Sequence, residues 1–487
     1  MKSITKTNKY FLFCSLSILL LLLIASIYFY KERMLFIDPI WIVYNISETN
    51  FFSFAEHRYG AFITQIVPLI GVLCGVSLKY ILIAYSASFY LFYIVSFCVI
   101  AFKWKQYQPA ILLALYSCTF ISDGYFWPNN EIHQGVCWLM LFVGYFQYVF
   151  IIKKHITASS AIISFLFLIL AISCHVLIIP IVFFIWVLVL VQLFSIVNVK
   201  LNYKILLSIA TTCVILVCCY LKYYLSSKGW YDPQKMETVQ NLKWGNIPSI
   251  LNNAQSNNFI KLLFSNYWSI ILWGVTAVIY GLKKKQFILL MYKFLGILAY
   301  YIIICATFPE ATGRSFQFYI ESEWAVLAII FWTPIIMFNL LDNMNKTLFI
   351  SLLLIFFGSR MYSIYQSSHL FTNRIHALKT ISQFQEEEKM AKAVLNISEQ
   401  NSKQYFLMSW GLPIETMAYA IIEGKTIRTM KVFTNTNTEI PKSNTLFFSC
   451  FSNTEIEKMR PPFIGLSTND NYRTLDSNFI EKLKPLY

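Results

Sequence analysis

The chain has 487 residues, of which 57% are hydrophobic and only 13% charged, with a mean hydropathy of +0.57. That balance excludes an ordinary water-soluble globular chain and points to a polytopic membrane protein. The formal net charge of +15 comes from short basic clusters at the ends of apolar runs, with no RNA- or DNA-binding module between them, so nucleic acid is not an expected partner.

The first apolar run, Tyr10 to Tyr30, follows Lys2, Lys6 and Lys9. It is long enough to span and lacks a small-residue cleavage pattern, so it reads as a retained helix and not a signal peptide. A polar loop from Lys31 to Lys79 follows, carrying "FIDPIW" with Asp38, then "FFSFAEHRYGAF" with the triplet Glu56, His57 and Arg58. Ala61 to Val76 is apolar but contains Gln65 and Pro68, and it is short for a span of ~20 residues. Runs able to cross continue near 80–102 and 108–122. "SDGYFWPNNEIHQGVCW", from Ser122 to Trp138, then sets Asp123, Glu131 and His133 between two otherwise apolar stretches. Further runs lie near 133–152, 158–175, 177–197, 204–224, 266–282, 287–307, 323–340 and 347–362.

The positive-inside rule arbitrates the short run at Ala61. With a cytoplasmic amino terminus and no crossing at Ala61 to Val76, the basic groups at Lys103 and Lys105, Lys153 and Lys154, Lys200 and Lys204, Lys283 to Lys285, and Lys346 all fall inside. A crossing there would move nearly all of them outside. The sequence therefore predicts about eleven transmembrane helices, with an interfacial helix in the first outer loop. The other outer loops are Ser122 to Glu131, Leu225 to Ser265 and Phe308 to Ser322, and the carboxyl terminus lies outside.

Past Tyr362 the composition turns polar, dividing the chain into a transmembrane part, 1–362, and a small extracytoplasmic α/β domain, 363–487. An amphipathic helix is expected from about Leu370 to Leu395. "KQYFLMSWG", "PIETMAYAIIEG", "RTMKVFT" and "NTLFFSCF" follow as strand, helix, strand and strand, with Gly424 closing the helix. This part has no nucleotide-binding glycine pattern and no catalytic signature. Ten of the eleven cysteines lie in apolar segments, in none of the paired spacings of a zinc site or disulfide framework, and read as packing residues.

The outer face collects Asp38, Glu56, His57, Arg58, Asp123, Glu131, His133, His175, Glu310, Arg314, Glu321 and Glu323, whereas the inner face carries mainly lysine. Carboxylates, imidazoles and guanidinium groups gathered at the outer membrane surface suit a phosphate-bearing lipid substrate. Structural roles stay open beside this. Asp38 can simply interrupt the chain at the interface, Glu56 can pair with Arg58, His133 can cap its helix, His175 can pack against a neighbour, and Glu321 and Glu323 can orient the tenth span.

An acid just after the first span, a long first outer loop with an interfacial helix, a second acid in a short outer loop and a carboxyl-terminal outer domain together resemble the GT-C superfamily. The matching stretches are "FIDPIW", "NNEIHQG" and "EHRYGAFITQIVPLIGV", and the likeness covers roughly the first 360 residues. It implies a glycosyltransferase of the bacterial inner membrane, working in cell-envelope glycan biosynthesis. Such an enzyme moves a sugar from a polyprenyl-phosphate donor to a glycan, lipid or protein acceptor hydroxyl. It also implies Asp38 as the base, with Arg58, His57 and Arg314 toward the phosphate. Glu131 and His133 then orient sugar or acceptor, and Glu56 and Asp123 line the substrate site. The first loop offers the single acid Asp38, with Ile40 two places on, where the family often carries a pair. No cofactor is therefore specified, and a divalent metal ion stays open. A transporter or flippase of a lipid-linked glycan, or a glycan polymerase or ligase, is the alternative function.

Overall fold

The computed structural model describes residues 6–128, 131–153, 157–195, 199–229, 232–233, 237, 245, 247–309, 317–342, 344–434, 440–447, 453–475 and 479–483. Seven helices among them are long and apolar enough to cross a membrane: Lys9–Tyr28, Leu78–Lys103, Glu131–Lys153, Val176–Phe194, Leu201–Ser226, Phe287–Thr307 and Lys346–Glu387. Two bent pairs raise the number to nine, Ala254–Ser265 with Trp268–Lys283 at 86° and Gln317–Trp324 with Leu327–Met337 at 43°. The chain is a helical polytopic membrane protein. Two shorter helices, Tyr107–Thr119 and Ala158–Cys174, lie between the longer ones.

Contacts between helix ends show how these segments run. At one end of the bundle, Arg58 joins the start of Glu131–Lys153. Lys222, near the close of Leu201–Ser226, donates to the Glu56 and His57 carbonyls. Asn253 donates to Cys305 O at 2.7 Å, and Gln255 to Glu323 at 2.6 Å. Three further lysines mark other helix ends. Lys204 donates to Phe194 O, Lys284 donates to Asn339 O, and Lys346 lies over the Tyr10 ring. The start of Glu131–Lys153 and the close of Leu201–Ser226 thus meet the Glu56 to Arg58 turn, while the start of Leu201–Ser226 meets the close of Val176–Phe194.

Between the first two spans, helix Phe62–Leu73 has 12 residues, about 18 Å, and is shorter than each of the nine longer spans. It turns back through Gly75, at φ +66°, into the Leu78 helix, and exposes Ile70 and Leu73. A short helix thus forms within the run Ala61 to Val76, separate from the spans on either side.

Two buried arginines hold broken backbone together in the bundle. Arg360 donates to Cys118 O and Ile121 O at the end of Tyr107–Thr119, and also to Asn266 O at the 86° break. It thereby satisfies carbonyls that their helices leave without partners. Arg33 donates to Ser86 Oγ and Tyr125 O, with its guanidinium 4.3 Å from the Tyr125 ring centroid.

The carboxyl-terminal part departs from the sequence expectation in three places. The composition change at Tyr362 falls inside one 42-residue helix, Lys346–Glu387, roughly 60 Å long. The helix predicted to reach Leu395 ends at Glu387, because Lys389 takes a positive φ and Lys392–Asn396 forms strand β1. The stretch predicted as a strand at "KQYFLMSWG" contains helix Glu399–Phe406 instead. Strand β2, Thr429–Phe433, and the later strands β3, Thr445–Phe447, β4, Asn453–Glu455, and β5, Arg473–Leu475, complete the α/β portion. The order β2-β1-β5 is parallel, while β3 and β4 pair antiparallel. Helix Leu412–Ile422 packs on β2, and Gly424 at φ +66° lets the chain turn after it.

This portion shares a hydrophobic core with the first loop. Met34, Leu35, Ile40, Tyr44, Leu82 and Tyr85 cluster with Leu378, Ile381, Leu412, Met417 and Phe463. The α/β portion therefore sits at the bundle end that carries Asp38.

Candidate functional site

Asp38 opens helix Asp38–Thr49 with Pro39 beside it, where a carboxylate is favoured by the helix dipole and proline has no amide to lose. It is half-buried and accepts a hydrogen bond from Trp127 Nε1 at 2.8 Å. The residue before it, Ile37, is held at φ 38° and ψ −104°, a strained conformation for a β-branched side chain. Its amide donates to Glu415 Oε1 at 2.7 Å, and Glu415 forms a buried ion pair with Arg374. Burial pushes the Glu415 carboxyl pKa upward, and Arg374 offsets only part of that. Asp38 is thus a helix-start residue with a defined donor, rather than a simple interruption of the chain.

Arg58 lies in a second cluster. Its guanidinium binds Glu131 at 2.8 Å and Asp232 at 3.2 Å, in a site where all three side chains are largely buried. Burial disfavours the arginine's charge, but the two carboxylates more than restore it, so its pKa is raised. Glu56 and His57 both take positive φ, at 49° and 54°, which reverses the chain just before Arg58. Lys222 Nζ donates to their carbonyls at 3.2 and 3.4 Å and secures that reversal. Asp232 N approaches Glu56 Oε2 at 3.4 Å, and His57 Nδ1 lies 2.9 Å from Tyr59 OH. An open depression of about 430 Å³ is lined by Phe54, Glu56, His57, Tyr59, Lys228 and Gly229.

The third group is the loop that "SDGYF" predicts. Glu321 accepts from Ser122 N at 2.8 Å, Gly124 N at 2.7 Å and Gln317 Nε2 at 2.7 Å, and also from the hydroxyls of Ser122 and Tyr267. A Cβ on Gly124 would come within 3.1 Å of Glu321 Oε2, so the loop lies directly on the carboxylate. Asp123 accepts from Ser367 Oγ at 2.5 Å. Burial first, and then the Glu321 charge, raise the Asp123 pKa to about 7 against the opposing pull of Ser367.

The structure gives the residues singled out in the sequence partners within the chain. Arg58, expected to face a lipid phosphate, is engaged by two carboxylates. Glu131, expected to orient sugar, is the first of those partners. Arg58 does not take its neighbour Glu56 as the alternative pairing has it, because the reversal at Glu56 and His57 points the guanidinium toward Glu131 and Asp232. His133 is buried, with Nδ1 2.7 Å from Tyr116 OH, and borders a cavity of about 20 Å³ with Gln134 and Tyr93, room for about one water. His175 caps a turn by accepting from Leu177 N. Glu310 and Arg314 lie outside the described residues.

No family model, curated protein or solved structure matches this chain. Among those described, no group of three or more His, Cys, Asp or Glu side chains is placed to hold a metal ion. Sequence reasoning missed Lys222, Asp232, Arg374 and Glu415. Lys222 alone carried a signal, as a lysine inside an apolar run.

Proposed function

We propose that the chain is a GT-C-like glycosyltransferase of the bacterial inner membrane, which transfers a sugar from a polyprenyl-phosphate donor to an acceptor hydroxyl on the extracytoplasmic face. The observation that carries this reading is the half-buried Asp38 carboxylate, fixed by Trp127 at the bundle end that also holds Arg58, Lys222 and Lys228. A carboxylate so placed can take the proton of an attacking hydroxyl as it reaches the anomeric carbon. The leaving lipid phosphate gathers negative charge, which cationic donors stabilise. His57 and Lys228 border the open depression and are the phosphate-side groups within easiest reach. Arg58 joins them when a phosphate replaces one of its carboxylates. Arg314 is kept as a further donor from the Phe308 to Ser322 loop. The exposed apolar side of Phe62–Leu73 supplies a surface for the polyprenyl chain.

The eleven-crossing topology belongs to the same proposal. It adds Tyr107–Thr119 and Ala158–Cys174 to the nine longer spans, and the helix-end contacts support it. Reporters active on one side of the membrane, fused after Tyr487 and after Lys284, should report outside and inside respectively. A cytoplasmic carboxyl terminus would overturn it. Incubating the purified protein with radiolabelled polyprenyl-phosphate sugars and envelope acceptors should give lipid-independent label. Label that stays on the lipid with every donor would refute the transferase reading.

A further inference from the structure

The carboxyl-terminal portion reaches the Asp38 turn through a buried polar contact that holds three chain segments. Arg374 donates through Nε to Phe406 O at 2.9 Å, through Nη1 to Leu35 O at 2.5 Å, and through Nη2 to Glu415. Its guanidinium also sits 5.0 Å from the Phe36 ring centroid. Glu415 turns its other oxygen to the Ile37 amide. Ile37 is the N-cap position of helix Asp38–Thr49, and its apolar side chain supplies no cap. Glu415, from 378 residues away, places a carboxylate there instead. Gly411 completes the contact, since a Cβ at that position would come within 3.2 Å of Ile37 Cα and 2.6 Å of Glu415 Oε1.

These bonds fall on the residues whose backbone aims Asp38. Ile37 at φ 38° is unfavourable by itself and persists only where its surroundings over-determine it. The Arg374–Glu415 pair supplies that constraint, with side-chain exposures of 2% and 0%. We infer that Glu415 is a positioning residue for Asp38, so that the carboxyl-terminal α/β portion sets the aim of the first-loop acid. This rests on the proposed role of Asp38, but the contact itself can be tested without any substrate.

The test uses the full chain in nanodiscs, with hydrogen-exchange mass spectrometry on peptides covering Leu35 to Ile40. Glu415→Leu removes the acceptor of the Ile37 amide. Exchange in that peptide should rise by about tenfold or more while the transmembrane helices stay protected. Transfer should fall roughly 10- to 100-fold in kcat with little change in donor KM, as for a displaced catalytic group. Glu415→Gln would keep a carbonyl oxygen for Ile37 but turn an NH₂ toward the Arg374 guanidinium, so the comparison is made without that cation: Arg374→Leu/Glu415→Gln should exchange at Leu35 to Ile40 at least about threefold more slowly than Arg374→Leu/Glu415→Leu. If Glu415→Leu fails to fold, Arg374→Leu/Glu415→Leu removes both buried charges and gives the same comparison. Unchanged exchange at Leu35 to Ile40 in the Leu variants, or equal exchange in the two double variants, would overturn the inference. Raised exchange in a protein that transfers no sugar would support the contact and refute the glycosyltransferase reading.

Discussion

Replacing Glu321 by glutamine should be among the more costly single substitutions in the bundle, although it changes one atom. The carboxylate accepts five hydrogen bonds, two from the backbone amides of Ser122 and Gly124 and three from side chains. A bond to a charged acceptor contributes about 1.5–3 kcal/mol and a neutral one about 0.5–1.5, so each loses about 1 kcal/mol on neutralisation. If glutamine keeps its oxygen toward the two amides, its NH₂ meets the hydroxyls of Ser122 and Tyr267, which can rotate to accept. Gln317 can flip its amide to do the same. The gross loss is therefore about 5 kcal/mol. Relief of the repulsion on Asp123, and of the cost of burying the charge itself, returns part of it. A net destabilisation of about 2–3 kcal/mol is expected, a substantial part of a typical ~5–15 kcal/mol stability. Reversible unfolding in detergent, followed by circular dichroism, measures it. A Glu321→Gln protein within about 0.5 kcal/mol of wild type would show that the carboxylate is not what organises the Ser122 to Phe126 loop.

Asp123 should impose a pH dependence on stability. Its folded pKa of about 7 lies above the ordinary aspartate value, so the folded state holds the extra proton. The contribution is complete below about pH 4 and is lost as pH rises toward 7. Asp123→Asn should flatten that slope and be more stable than wild type at pH 8, as read by thermal melts at pH 5 and 8; a slope unchanged in the variant would assign it elsewhere. Gly60→Ala should destabilise by about 1–3 kcal/mol through overpacking. Its Cβ would meet Leu170 O at 2.2 Å and Cys174 Sγ at 2.5 Å, and backbone oxygen cannot rotate away. Tolerance of alanine there, measured in the same melts, would mean that the turn leading from Arg58 into helix Phe62–Leu73 packs less closely on Ala158–Cys174.

What the sequence made legible depended on local signals. Long apolar runs with basic ends marked helices able to span a membrane, and the short run around Pro68 marked a separate short helix, because length and charge act within one segment. The polar stretch after Ser122 likewise announced a loop followed by a helix start at Glu131. Partnerships across the chain were not legible. Arg58 is separated from Asp232 by 174 positions, and Ile37 from Glu415 by 378, and no local pattern links them. Glu321 looked like a span-end charge until its five donors, from three segments, were visible. Strand β1 was hidden because Ala393, Val394 and Leu395 are buried in a parallel sheet and show no alternation, which lets them pass for the end of an amphipathic helix. The continuous helix through Tyr362 was hidden for another reason. A polar surface along one face changes the composition without ending the helix.

The most direct measurement is sugar transfer by Asp38→Asn. The amide oxygen of asparagine can still accept from Trp127 Nε1, and the residue still starts its helix, so fold and donor binding should persist. Turnover with a labelled polyprenyl-phosphate sugar should fall by roughly 10² to 10⁴, the usual contribution of a general base. Near-normal transfer by Asp38→Asn would contradict the account and leave Glu131 as the next acid to examine.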